Sequence, residues 1–325
     1  MSESFAANAR KHQLAWALNG GVPVSALELR HGQISWVLKR EHRKLNLFRP
    51  EWWNYIAHAE HRWSRALNSS QCFAVNVFAP LAEYSARARR VLQALLLTRE
   101  ILPEDEVSVR FEYTPEGAPA RMGERDHSTQ VDVYLLVTRS HRCIGHVLVE
   151  VKFSETSFGS CRGWGNKTEN AVRNPNPSRC LNATEITLNP QKNCWRAEAE
   201  GRRYWELMSA QGSSIRMGAI RLAGVCPFRH GLYQMMRNRV IADELARNTR
   251  PAWADFAVCR HPANDAVVLL DEPVSEHRNA IRAFQSISTD GAICDWNAQK
   301  LVKVIGSTDD KLGEWEAWMM ARYFD

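Results

Sequence analysis

"HVLVEVKFSE", residues 146–155, begins as a core strand and then stops behaving like one. Strand side chains alternate between faces. Val147, Val149, Val151 and Phe153 therefore make one unbroken apolar face, while His146, Leu148, Glu150 and Lys152 share the other. A glutamate and a lysine side by side at the end of such a strand need partners or a task, because burying an unpaired charge is costly.

The preceding strand pattern, "TQVDVYLLVTR" at 129–139, carries a lone acid among apolar residues, and the polar "SHR" at 140–142 separates the two. A hairpin centred near His141 sets Asp132 opposite Glu150 on one face, with their Cβ atoms roughly 4.5–5.5 Å apart. Two carboxylates so placed repel unless a cation lies between them. The Val151 carbonyl and water would complete the oxygen-rich shell that Mg²⁺ prefers. Lys152 would then stand beside the ion, placed to hold a phosphate oxygen or an attacking water. The competing account is structural: a lysine that snorkels from a strand end and an aspartate that satisfies a turn amide.

The hydrophobic fraction of 45% and charged fraction of 24% belong to an ordinary globular protein. No apolar run nears the roughly 20 residues a bilayer requires. The opening residues lack the layout of a secretory signal, so a cytoplasmic protein with no membrane partner is expected. The net charge of +6 mildly favours a polyanion. Its local clusters, "KREHRK" at 39–44 and "ARARR" at 86–90, read first as solvated helix faces and gain weight only beside a phosphate-directed site.

Residues 1–65, rich in Trp, Arg and His, read as a helical N-terminal segment, and 66–325 as the main domain. "NSSQCFAVNVFAPLAEYSARARRVLQALLLTREIL" at 68–102 predicts two helices with a break or kink at Pro80. "EVSVRFEYTPEG" at 106–117 is a half-buried strand with Val107, Val109, Phe111 and Tyr113 on one face. Residues 154–200 are loop-like, helices follow within 199–210 and 231–247, and "WADFAVCRHP" at 253–262 and "DAVVLL" at 265–270 read as late strands. An amphipathic helix closes the chain at 314–324. This order predicts a mixed α/β domain around one sheet.

With "VD" at 131–132 in one strand and "EVK" at 150–152 in the next, the sequence resembles the PD-(D/E)XK nuclease superfamily, Val131 standing where a proline often precedes the aspartate. "SSQCFAVNVFAPL" at 69–81, "EVKFSETSFGSC" at 150–161 and "CPFRHGLYQMMRN" at 226–238 resemble a bacterial family of restriction-endonuclease-like proteins within it. The likeness runs from about residue 65 to about residue 270. It implies an αβββαβ core, a mixed sheet flanked by helices, and metal-dependent cleavage of nucleic acid. By that resemblance Asp132 and Glu150 are metal ligands for Mg²⁺ or Mn²⁺, and Lys152 is the catalytic lysine. Gln71 is preferred to Glu83 as the polar residue on the helix before the first strand. "YQMMRN" at 233–238 is similar to the helix that supports the site in RecB-like nucleases, making Gln234 a catalytic candidate and Arg237 a phosphate contact. The alternative for both is an exposed polar helix face.

Four of the eight cysteines, Cys161, Cys180, Cys194 and Cys226, fall between the Glu150 strand and that helix, with no C-x-x-C pair. They are ligands of an iron–sulphur cluster, by analogy with some RecB-like nucleases, or of Zn²⁺, or they are plain thiols. Cys72, Cys143, Cys259 and Cys294 read as ordinary buried thiols. The expectation is a Mg²⁺-dependent nuclease acting on nucleic acid, DNA first. Its rivals are an inactive nucleic-acid-binding member of the same fold and a cysteine–metal structural protein.

Overall fold

In the computed structural model, residues 4–125, 128–164, 174–249 and 252–324 are described. The three predicted strands form β3 (Glu106–Tyr113), β4 (Val131–Arg139) and β5 (Arg142–Lys152), an antiparallel meander. β6 (Trp253–Arg260) joins β5 in parallel, and the Cys294–Asn297 strand joins β6 in parallel, giving a five-stranded mixed sheet. A parallel neighbour needs a crossover, and the long one from β5 to β6 contains the Tyr233–Asn248 helix.

The two faces of β5 separate two cores. Val147, Val149, Val151 and Phe153 pack with α2 (Ser70–Glu83), α3 (Ser85–Leu95) and the Ala298–Gly306 helix. Leu148 packs on the other side with Met235, Met236 and Val240 of the Tyr233–Asn248 helix. Glu150 and Lys152 lie on this second side.

Between β4 and β5 the pairs run from Val133 opposite Val149 to Val137 opposite Gly145, so the next positions out are Asp132 and Glu150. That is the expected register, reached by another route. The turn itself is centred between Ser140 and His141, both at positive φ (48° and 62°), the backbone of a tight two-residue hairpin. A one-residue irregularity between Val137 and Thr138 then restores the offset.

Three expectations change. Helix α2 runs through Pro80 and ends at Tyr84 instead. Proline lacks the N–H that would bond the carbonyl four residues back, and here the Trp315 indole N–H donates to that Asn76 oxygen at 2.9 Å. Within 154–200, short helical turns span Pro177–Leu181, Ala183–Leu188, Pro190–Asn193 and Trp195–Glu198, while residues 165–173 lie outside the described residues. In the N-terminal segment, α1 (Phe5–Trp16) is followed by a hairpin of β1 (Leu27–Arg30) and β2 (Gln33–Leu38) as well as the expected helical turns.

That segment is fastened to the chain's other end by Arg322. Its guanidinium is fully buried, donates to Gln13 Oε1 (3.1 Å) and to the carbonyls of Asn46 (3.0 Å) and Leu67 (3.2 Å), and lies 4.5 Å from the Trp16 ring. Trp52, Trp53 and Ile56 bury in the same core as α2 and the sheet. Among the described residues, no helix is long and apolar enough to cross a membrane.

Candidate active site

The hairpin register delivers the two carboxylates to one end of the sheet. Asp132 Oδ2 accepts the Val151 N–H at 2.7 Å. The N–H and C=O of a strand residue point to the same side, so the Val151 carbonyl faces the Asp132 edge. Glu150 Oε1 meets Lys152 Nζ at 2.7 Å, and their side chains are only 4% and 6% exposed. The other Glu150 oxygen accepts Asn238 Nδ2 at 2.6 Å. Burial, the Glu150 charge and, less, the Glu112 charge push the Asp132 carboxyl well above its usual range, against the pull of Lys152. Burial alone would lower Lys152, but Glu150, Glu155 and Asp132 hold it above the ordinary lysine value. The lysine is a fixed cation.

Two residues of this site escape the sequence reading. Asn238, on the Tyr233–Asn248 helix, is 1% exposed and orients Glu150; its Oδ1 is buried without a hydrogen-bond partner among the described residues. Glu112 is the other. It lies between Phe111, opposite Val133, and Tyr113, opposite Val131, in line with Asp132. Its φ of +48° is a left-handed conformation that a glutamate adopts at a cost of about 1–2 kcal/mol. The strand's alternation breaks there. Phe111 stays in the core with α2, but Tyr113 crosses to the other face and stacks on Tyr134 at 4.4 Å.

Gln71 holds Glu112 through a 2.9 Å bond from Nε2, while its Oε1 accepts the His61 N–H. The structure therefore brings Gln71 to the site's edge through Glu112, with no bond to Asp132 or Glu150. The His61 ring stands 3.2 Å from the same carboxylate, and that bond raises its pKa. Glu83 sits twelve residues along α2, about 18 Å away by helical rise, bonded to Arg49 and Trp52.

Beyond Lys152 opens a groove of ≈ 690 Å³ whose wall includes Arg162, Arg196, Arg202, Gln234 and Arg237. The Gln234 N–H donates to Phe158 O at 3.0 Å, which ties the start of its helix to the loop after β5. Gln234 and Arg237 are thus groove-lining residues. Arg237 also pairs with Glu124 at 3.1 Å and lies 5.6 Å from the Tyr233 ring. A second cavity of ≈ 430 Å³, walled by Arg10, Trp36, His61 and Trp63 of the N-terminal segment, shares Glu155 as a lining residue with the first.

Cys161, Cys180, Cys194 and Cys226 come together around one small cavity. Cys72 and Cys259 are buried, as expected, whereas Cys143 and Cys294 are only partly covered. Among the described residues, no three His, Cys, Asp or Glu side chains converge tightly enough to hold a single metal ion. At the sheet end the oxygen donors are two carboxylates and the Val151 carbonyl, with the unpartnered Asn238 Oδ1 close behind Glu150. This hard, anionic, incompletely satisfied set suits Mg²⁺ or Mn²⁺ completed by water.

A family model described as restriction endonuclease associating with ARP matches residues 22–324. No curated protein and no solved structure matches the chain.

Proposed function

The chain belongs to the family of restriction endonucleases associating with ARP, and on that premise we propose that it is a metal-dependent nuclease of the PD-(D/E)XK type that hydrolyses phosphodiester bonds in DNA. The observation that carries the reading is the convergence of Asp132, Glu150 and Lys152 beneath a groove lined with arginines. The order of two helices, three antiparallel strands, a helix and a parallel strand agrees with the αβββαβ core of that superfamily.

Asp132, Glu150 and the Val151 carbonyl would hold Mg²⁺ or Mn²⁺, which when bound supplies Lewis acidity and lowers the pKa of water. Lys152 is charged at neutral pH and faces the groove, so it can neutralise charge developing on the phosphate. Asn238 fixes the rotamer of Glu150, and Val151 that of Asp132, which keeps the carboxylates oriented without substrate. Arg196 and Arg202, paired with Glu200 of the same wall, and Arg237, paired with Glu124, would turn to phosphate by exchanging those partners, and contacts of this kind position a nucleic acid without reading its sequence.

An inactive relative that only binds nucleic acid is disfavoured by the strain at Glu112 and the buried charges at Glu150 and Lys152. Each costs folding energy that a retired site has no reason to retain. The purified protein is expected to cut at least one of single-stranded, linear duplex or circular DNA with Mg²⁺ or Mn²⁺, and none with chelator. Preference for RNA over every DNA substrate would overturn the substrate, and folded protein inert on all of them would overturn the enzyme.

A further inference from the structure

The four cysteines come from four separate segments: the loop after β5, the Pro177–Leu181 turn, the residue before the Trp195–Glu198 turn, and the residue before the Pro227–Arg229 turn. Backbone bonds lace these segments together. Cys226 N–H donates to Cys180 O at 2.9 Å and Cys161 N–H to Phe228 O at 3.2 Å. Arg196 and Arg229 lie near Cys161 and Cys180 and would offset negative charge.

The thiols surround a cavity of ≈ 30 Å³, in a wall otherwise built from Trp195, Tyr204, Trp205 and Phe228. A close-packed interior has few voids larger than one water, which needs about 10–15 Å³ by the same measure. Four thiols around such a void are poor packing and a good ligand set. Four sulphurs bound to one zinc at about 2.3 Å would stand only about 3.8 Å apart and close the space between them, whereas the cysteines here line an open cavity. It leaves room for a larger inorganic core.

We propose that Cys161, Cys180, Cys194 and Cys226 are the thiolate ligands of an iron–sulphur cluster that staples the segment between β5 and the Tyr233–Asn248 helix. On assembly each thiol gives its proton to solvent and forms one iron–sulphur bond, with iron and sulphide as the inorganic reactants. The effect reaches the groove, because Arg196 lies two residues past Cys194 and donates to the Tyr233 hydroxyl at 2.6 Å. The inference stands whether or not the sheet-end site cuts DNA.

Protein purified without oxygen from iron-fed cells is expected to be brown and to contain iron and acid-labile sulphide in equal amounts. Cys180→Ser and Cys194→Ser should lose nearly all of both. Cys143→Ser, which changes a thiol paired with His146 outside this cavity, should keep them. Because the iron and sulphide content of the unaltered chain is decisive by itself, misfolding of the serine variants does not blunt the test. Folded parent protein that holds zinc in place of iron, or no metal at all, overturns the proposal. So does loss of iron in Cys143→Ser equal to that in Cys180→Ser.

Discussion

Lys152→Ala is expected to destabilise the fold by about 3–5 kcal/mol, the usual result of removing one member of a buried ion pair. Glu150 would keep its Asn238 bond but lose the cation paired with it, in a site where its side chain is 4% exposed. The double variant Glu150→Gln, Lys152→Met should recover most of the loss, because no unpaired charge remains and the volume is nearly kept. The sign with pH follows from the direction of the lysine shift. The pair raises Lys152, so its contribution is fully present below the unfolded lysine value near 10.4 and is lost only as pH climbs from there toward the raised folded value. Urea titrations at neutral pH of the parent, Glu150→Gln, Lys152→Met and the double variant give the coupling. Independent, additive effects would mean the pair carries no special energy.

Asp132→Asn is expected to move stability in the opposite direction. At about 5 Å and an effective dielectric near 20, two carboxylates repel by on the order of 3 kcal/mol, an upper figure. The amide oxygen of the variant would still accept the Val151 N–H, while the charge is gone. A raised carboxyl pKa means that the ionised form opposes folding, so this penalty is absent below the unfolded value near 3.9 and grows as pH rises through the folded value. At neutral pH the metal-free variant should therefore melt at or above the parent. It should also lose the stabilisation that Mg²⁺ or Mn²⁺ gives the parent, about 2.7 kcal/mol at a hundredfold excess over Kd. Thermal melts with metal and with chelator check both signs. A variant that melts well below the chelated parent would make Asp132 a structural residue.

How much of this the sequence discloses depends on whether the signal is periodic. Alternation in 146–155 separates the charged pair from the core face, and the short polar turn brings Asp132 opposite Glu150. The expected register survives because a two-residue turn and a one-residue bulge offset each other, which no periodicity reveals. Glu112 is hidden for the converse reason. Its strand looks evenly alternating, and only a left-handed residue inside it turns the acid toward Gln71. Extending the ladder one strand further would have set Glu112 level with Asp132, so a signal was there. Asn238 reads as one more polar residue on a helix, because burial against Glu150 depends on how that helix crosses the sheet. The cysteines show as four thiols in a polar stretch; their meeting is decided by backbone bonds between segments far apart in sequence.

The most direct test of the nuclease reading is a single-turnover cleavage assay on DNA with Mg²⁺, comparing the parent with Lys152→Ala well below that variant's melting temperature and with its fold verified by circular dichroism. The parent is expected to cut, chelator to stop it, and the folded variant still to bind DNA but to cut at least about a hundredfold more slowly, on the order of one lost electrostatic contact to the transition state. Cleavage by the variant at the parent's rate would contradict the assignment of Asp132, Glu150 and Lys152 as the site of chemistry.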